Sequence, residues 1–303
     1  MKMKKIGITG ATGLVGKKLL NHYLQGDYKV KVITRDLNKI KPAENLEIFE
    51  INLEQISQEK LSLFLEDLDV LFHLAAEIKD ERRIFTINVR SVHEIINQID
   101  IKKTHFIYLS SIGIFDFKKN KVITNTSSLN PLNSYESSKL EAEKIINNTK
   151  GLTASILRPS TILSADMKSN LLKRLFEITN NRVTVNFNDN VISNFILLED
   201  VISALILIEN NSKKKSGTYN LSRDIKLNSV LTKLNLNKTW QLKIPFKLLK
   251  PLINTFAYFN GNLHFFNNQS KINISEIKDN LEYQHGTVGY DEFFKIFLEN
   301  EKK

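Results

Sequence analysis

The sequence predicts an α/β fold: a doubly wound parallel sheet with a smaller α/β region towards its C-terminal end. Three observations predict it. A short apolar run opens into a glycine-spaced turn at Lys5–Gly16. Short β-branched or apolar runs then alternate with helical periodicities to about residue 160. The run Asp69–Ala76 is apolar without alternation, the pattern of a strand covered on both faces by helices.

The first strand ends in Gly10-x-x-Gly13-x-x-Gly16, and Leu19, Leu20 and Tyr23 follow at helical spacing. Glycine tolerates positive φ and lets a ligand approach the backbone closely. The amides around Gly10, Thr12, Gly13 and Gly16 and the start of the helix behind them suit a pyrophosphate. Lys29–Thr34 reads as a second strand, ending in Thr34-Arg35-Asp36. Arginine at that position suits a ribose 2′-phosphate and an acidic residue suits a free 2′-hydroxyl. Arg35 therefore favours NADP over NAD, while Asp36 keeps NAD open. Glu47–Leu53 reads as a third strand with Asn52 at its tip. Asp69–Ala76 is the fourth, with His73 packed inside it and small Ala75 and Ala76 where a flat ligand could approach. Residues 82–100 read as a helix with Ile84, Ile87, Val92, Ile95, Ile96 and Ile99 on one face. Thr104–Leu109 is a fifth strand running into Ser110-Ser111, a helix follows over about 134–148, and Leu152–Leu157 is a sixth strand, ended by Arg158-Pro159. Helices are expected again at 169–180 and from Asn194–Val201 to about Glu209, with a strand at Gly217–Leu221. Ligands of such sheets lie at the carboxyl ends of the strands, where the glycine turn, Arg35, Asn52, Ala75 and Ser111 all fall.

Composition excludes several classes. The chain has 303 residues, 42% of them hydrophobic and 25% charged, as in an ordinary globular protein. Its formal charge of +10 is spread along the chain rather than interleaved with aromatics, so no nucleic-acid site is expected. Without cysteine there is no thiol nucleophile or disulfide, and six scattered histidines show no metal spacing. The basic start leads into a glycine-rich stretch rather than a signal peptide, and no run reaches the length of a membrane span. A cytoplasmic protein is expected. The Phe- and Leu-rich stretch 244–266 is read as a core or substrate-region helix rather than an interfacial membrane helix.

Tyr135 and Lys139 are four residues apart, which places them on one face of a helix. A nearby ammonium favours the phenolate, so the expectation is a tyrosine with lowered pKa that exchanges a proton with a substrate hydroxyl. Ser111, at the end of the fifth strand, is placed to bond the same oxygen.

These residues resemble an extended short-chain dehydrogenase/reductase of the nucleotide-sugar epimerase, dehydratase and reductase group. The resemblance is carried by Thr9-Gly10-x-x-Gly13-x-x-Gly16, His73-Leu74-Ala75-Ala76, Asn88, Leu109-Ser110-Ser111, Tyr135-x-x-x-Lys139, Arg158-Pro159, Phe195-Ile196 with Asp200-Val201, and Tyr219-Asn220-Leu221. It spans roughly residues 4–221. It implies a Rossmann domain over residues 1–165, with a returning segment near 190–212, and a substrate-binding region over 166–303. It implies a catalytic set of Ser111, Tyr135 and Lys139. It implies cofactor contacts from Leu14, Val15, Asn52, Leu53, Leu74, Ala75, Ala76, Asn88 and Pro159, besides Tyr135 and Lys139. It further implies a small-molecule substrate, in many members a nucleotide sugar, and a homodimer formed through the helices at 82–100 and 134–149. The turn after Ser111 lacks the Asp-Glu pair of sugar dehydratases, which argues against dehydration. Leu197 stands where histidine is usual, and Ser193 where many members carry a diphosphate-binding arginine. Only Arg223 lies beyond Arg182, and Lys271 is another candidate cation. A reductase of non-sugar ketones and a non-catalytic dinucleotide-binding protein are the alternative readings.

Overall fold

Seven segments form one parallel sheet. The structure, a computed structural model, describes residues 3–164, 183–187, 192–211, 216–226, 229, 240–244, 270–286, 289–290 and 292–293. The expected helix at 169–180 and nearly all of the stretch 244–266 lie outside the described residues. The sheet strands are β1 Lys4–Thr9, β2 Tyr28–Thr34, β3 Leu46–Glu50, β4 Val70–His73, β5 His105–Leu109, β7 Ala154–Pro159 and β12 Gly217–Leu221. They lie in the order β12-β7-β5-β4-β1-β2-β3, so chain order reverses between β1 and β4, where the carboxyl ends open a crevice.

Both faces are covered, as the unalternating run Val70–His73 requires. On one side α1 (Leu14–Leu24) and α6 (Leu198–Asn210) share a core with Ile6, Ile8, Phe72 and Leu157. On the other, α2 (Gln58–Leu65), α4 (Ser91–Gln98) and α5 (Ser134–Asn148) pack on Leu71, Phe106 and Tyr108. The expected helix over 82–100 is not uniform. It comprises α3 (Glu81–Phe85), a π turn (Thr86–Arg90) and α4, and the π turn carries the buried Asn88.

Among the described residues, four two-stranded sheets were not legible as pairs in the sequence. β6 (Val122–Ile123) pairs with β15 (Lys271–Ile272), and β8 (Thr161–Leu163) with β11 (Phe195–Leu197). β9 (Val183–Phe187) pairs with β14 (Trp240–Ile244), and β10 (Ile192–Ser193) runs antiparallel to β13 (Ile225–Lys226). α7 (Ser275–Leu281) adds Ile277 and Leu281 to the core beside α6.

The ends of β1 and β4 are drawn together by a buried polar column. Thr9 Oγ1 lies 2.9 Å from His73 Nδ1 and accepts from the Ala75 amide at 3.2 Å. Ser91 Oγ closes the other ring nitrogen of His73 at 3.4 Å. The ring stacks between Phe106 and Tyr108, so the core role expected of His73 is the one it has. Gly10 takes φ +72, and a Cβ there would sit 2.7 Å from the Ala75 amide nitrogen. A Cβ on Gly16 would fall on the Gly10 carbonyl oxygen.

Two consequences are measurable. Gly16→Ala forces α1 off the turn and should cost about 1–3 kcal/mol of stability in urea denaturation. Burial, with the nearby Lys139 charge, holds His73 down to about 3 against an ordinary 6.5. The unfolded chain therefore binds the extra proton between those values, and stability should fall as pH falls from 6.5 towards 3. His73→Gln, which does not titrate, should show a flatter acid limb in the same denaturation series.

Candidate active site

The glycine turn delivers the start of α1 to the crevice with its amides available. Gly13 is the N-cap residue, no side chain caps the helix, and its first turn carries no acidic residue. The Gly13 amide closes the turn onto the Gly10 carbonyl at 2.9 Å. Thr12, Gly13 and Leu14 are exposed there, while Val15 and Gly16 are buried beneath. Uncapped amides beside a glycine cradle fit the pyrophosphate of a dinucleotide, and that fit rests on the backbone alone.

At the end of β2, Arg35 is exposed, and among the described residues its guanidinium has no partner. Asp36 is otherwise engaged. Its carboxylate accepts from the Asn38 amide at 3.0 Å, capping the 3-10 turn Leu37–Lys39, and lies 3.8 Å from Lys39 Nζ. At the end of β3, Asn52 is exposed and Leu53 buried. The Asn52 side chain accepts from the Glu54 amide at 3.0 Å. Beyond β4, Leu74, Ala75 and Ala76 are half-buried along the same edge.

The loop after β4 is tied to the helix that carries Tyr135. Asn88 Oδ1 accepts from the Glu77 amide at 2.7 Å, and Asn88 Nδ2 donates to the Glu77 carbonyl and to Ser138 Oγ, both at 2.9 Å. Ser138 in turn donates to the Tyr135 carbonyl at 2.7 Å. The sequence marked Asn88, but it missed Ser138 and Glu77. Serine one residue before Lys139 carries no signal without the fold.

Helix α5 starts abruptly, which fixes Tyr135 in its first turn. Asn133 caps it by accepting from the Glu136 amide at 2.8 Å, and Glu136 reaches back to the Leu132 amide at 2.7 Å. The asparagine caps the helix and Glu136 fastens the residue before the cap, so the entering chain and the first turn are held together. Ser111, at the end of β5, accepts from the Gly113 amide at 3.0 Å and remains half-buried. Lys139 is buried, its Nζ donating to the Leu109 carbonyl at 2.7 Å. The ammonium lies 4.7 Å from the centre of the Tyr108 ring and 5.7 Å from that of Tyr135. Pro159 is buried at the end of β7.

The electrostatics correct one expectation. The Tyr135 phenol does not fall below its ordinary value. Burial, with a further push from the Glu136 carboxylate, raises it to about 12. Burial lowers Lys139 to about 7, against a smaller opposing pull from Glu143. A phenol protonated across the neutral range is a proton donor, and a half-charged ammonium beside it can tune it.

Beyond β12, Arg223 ties the start of α6 to the segment after α7. Its guanidinium lies 3.1 Å from Asp200 Oδ1 and donates to the Gly286 carbonyl at 3.0 Å. Ser193 is fully buried on β10, and Lys271 is exposed on β15. Among the described residues no cluster of acidic, histidine or cysteine side chains could hold a metal, and no helix is long and apolar enough to cross a membrane.

Known proteins share this architecture. A Bacillus subtilis protein described as an uncharacterized UDP-glucose epimerase, YtcB, is 30% identical over 181 residues, covering 52% of this chain and 56% of that protein. The chain thus spans about half the length of the curated relatives it matches. The UDP-glucuronic acid 4-epimerase of Bacillus cereus, solved with NAD, superposes with a TM-score of 0.74 at 19% identity, covering 98% of this chain and 96% of that one. The terminal R domain of the myxalamid PKS-NRPS pathway superposes at 0.80 with 16% identity, covering 98% and 90%. These superpositions show the doubly wound fold. The NAD dependent epimerase/dehydratase family matches residues 6–222, with the glycine turn, Ser111, Tyr135 and Lys139 all inside the match. The chain belongs to the NAD dependent epimerase/dehydratase family.

Proposed function

We propose that this chain is an enzyme that moves hydride between a nicotinamide dinucleotide and the carbon of a secondary alcohol or ketone. The observation that carries the proposal is the convergence of the uncapped α1 amides, Ser111, Tyr135 and the buried Lys139 on one sheet edge. Bound NAD(P) supplies or accepts the hydride. The amides around Gly13 hold the pyrophosphate, and Leu14, Val15, Leu53, Leu74, Ala75, Ala76 and Pro159 line its path. Tyr135 Oη gives its proton to the carbonyl oxygen in reduction and takes it back in oxidation. Ser111 Oγ donates to the same oxygen. The Lys139 ammonium, seated on the Leu109 carbonyl, favours the phenolate as the proton leaves.

The cofactor is NADP in preference to NAD. Arg35 is exposed at the end of β2, whereas the Asp36 carboxylate is occupied by Asn38 and Lys39. The substrate is a nucleotide sugar and the carbon attacked is C4, as a 4-keto reductase or a 4-epimerase. Relatives named as UDP-sugar epimerases support this choice. A reductase of non-sugar ketones is the second reading, favoured by Arg223. The only arginine beyond position 182 is engaged by Asp200 and Gly286 rather than facing a diphosphate. The division into a dinucleotide-binding domain over 1–165 with 190–212, and a substrate region over 166–303, is part of the same proposal. So are a cytoplasmic location and a homodimer through α3, α4 and α5, where Phe85 is 46% exposed.

The test is absorbance of the reduced nicotinamide on adding nucleotide-4-keto-sugars and non-sugar ketones, with chromatography of the sugars. Loss of absorbance with a keto-sugar is a reductase; sugar interconversion without net change is an epimerase. Tyr135→Phe should lower turnover by about 10²–10⁴ while dinucleotide binding persists. Unchanged turnover in that variant contradicts the proposal. Arg35→Ala should weaken NADPH binding far more than NADH binding in fluorescence titrations. Equal losses contradict the NADP assignment.

A further inference from the structure

Lys139 has a carboxylate one turn further along its own helix. Glu143 follows it by four residues, the spacing at which a lysine and a glutamate on a helix normally pair. Here they do not. Glu143 is gripped at two points by Arg158 of β7, Nε to Oε1 at 2.9 Å and Nη2 to Oε2 at 2.5 Å. The pair is almost wholly buried, with the side chains 8% and 3% exposed. Arg158 is itself held from outside α5. Its guanidinium lies 5.0 Å from the centre of the Phe115 ring, just after the turn that Ser111 caps, and its backbone is in register with Asn220 of β12. Lys139 Nζ meanwhile donates to the Leu109 carbonyl, and among the described residues no carboxylate pairs with it.

Building on the hydride-transfer chemistry proposed above, we infer that Arg158 is a positioning residue: its two-point grip keeps the Glu143 carboxylate from pairing with Lys139, so the ammonium stays on the Leu109 carbonyl beside Tyr135. The physical reason is competition for one buried anion. A planar guanidinium matches both carboxylate oxygens, whereas an ammonium meets them as a point charge. The strand and the loop hold the fork, so the helix cannot relax Glu143 onto Lys139. With Glu143 free, Lys139 would acquire a salt bridge, leave its carbonyl seat and lose its pull on the phenol. The other groups facing Lys139 are Tyr135 on its own helix, Tyr108 on β5 and neutral His73 on β4. Arg82, Arg90 and His93 of the neighbouring helical run are exposed.

The test needs no substrate, so its failure is separate from failure of the hydride-transfer proposal. The side-chain nitrogen of Lys139 is titrated by NMR in [¹⁵N]lysine-labelled protein, with Lys139→Met assigning the signal. In the native protein it should titrate near 7. Arg158→Met should raise the midpoint by about one to three units as the freed carboxylate pairs with the ammonium. Glu143→Gln should lower it, and adding Arg158→Met to Glu143→Gln should then leave it where it is. Should Arg158→Met fail to fold, Arg158→Lys, which keeps the charge but loses the fork, should give a smaller rise. A purely structural pair would lower the melting temperature without moving the midpoint, and that result overturns the inference. An equal rise with and without Glu143 overturns it as well, because it reports only loss of a like charge.

Discussion

The close approach of β1 to β4 is the constraint on which the rest of the molecule depends. Gly10 adopts a left-handed conformation a side chain would resist, and its Cα faces the Ala75 backbone with no room for a Cβ. Thr9 locks that approach by bonding His73 and the Ala75 amide together. Because the two strand ends lie this close, the start of α1 and the loop after β4 border one crevice. A flat, anionic ligand spanning the crevice meets amides on one side and small side chains on the other.

From there a chain of buried polar contacts carries position towards Tyr135. His73 touches Ser91, which follows the π turn. Asn88, within that turn, clamps Glu77 and Ser138, and Ser138 holds the Tyr135 carbonyl. One turn beyond Lys139 on the same face of α5, Glu143 and Arg158 fasten the helix to the end of β7. The catalytic candidates therefore sit on elements held together by buried polar contacts. Such groups are costly to leave unpaired, so they specify one arrangement.

Much of this was legible from the residues. The unalternating run at Asp69–Ala76, the glycine spacing and the four-residue step from Tyr135 to Lys139 were each read from local pattern, and the structure places the first largely in β4, the second on the turn into α1 and the third on α5. The short flanking pairs were not legible, because strands of two or three residues such as Ile192–Ser193 and Ile225–Lys226 have no period to read. The tyrosine's proton affinity was misread for a related reason. Spacing gives Lys139 as a neighbour, but the depth of burial that raises the phenol exists only in the fold. Ser138 and Glu143 were missed because their importance lies in partners 50 and 15 residues away.

Under the proposed function, the β1–β4 crevice would hold a nicotinamide dinucleotide with its reactive ring beside Tyr135. A crystal structure of the protein soaked with NADP would decide this. The expected complex has the pyrophosphate on the amides around Gly13, the 2′-phosphate at Arg35 and the nicotinamide between Ala75 and Tyr135. Dinucleotide bound elsewhere, or a nicotinamide turned away from Tyr135 and Lys139, would contradict it.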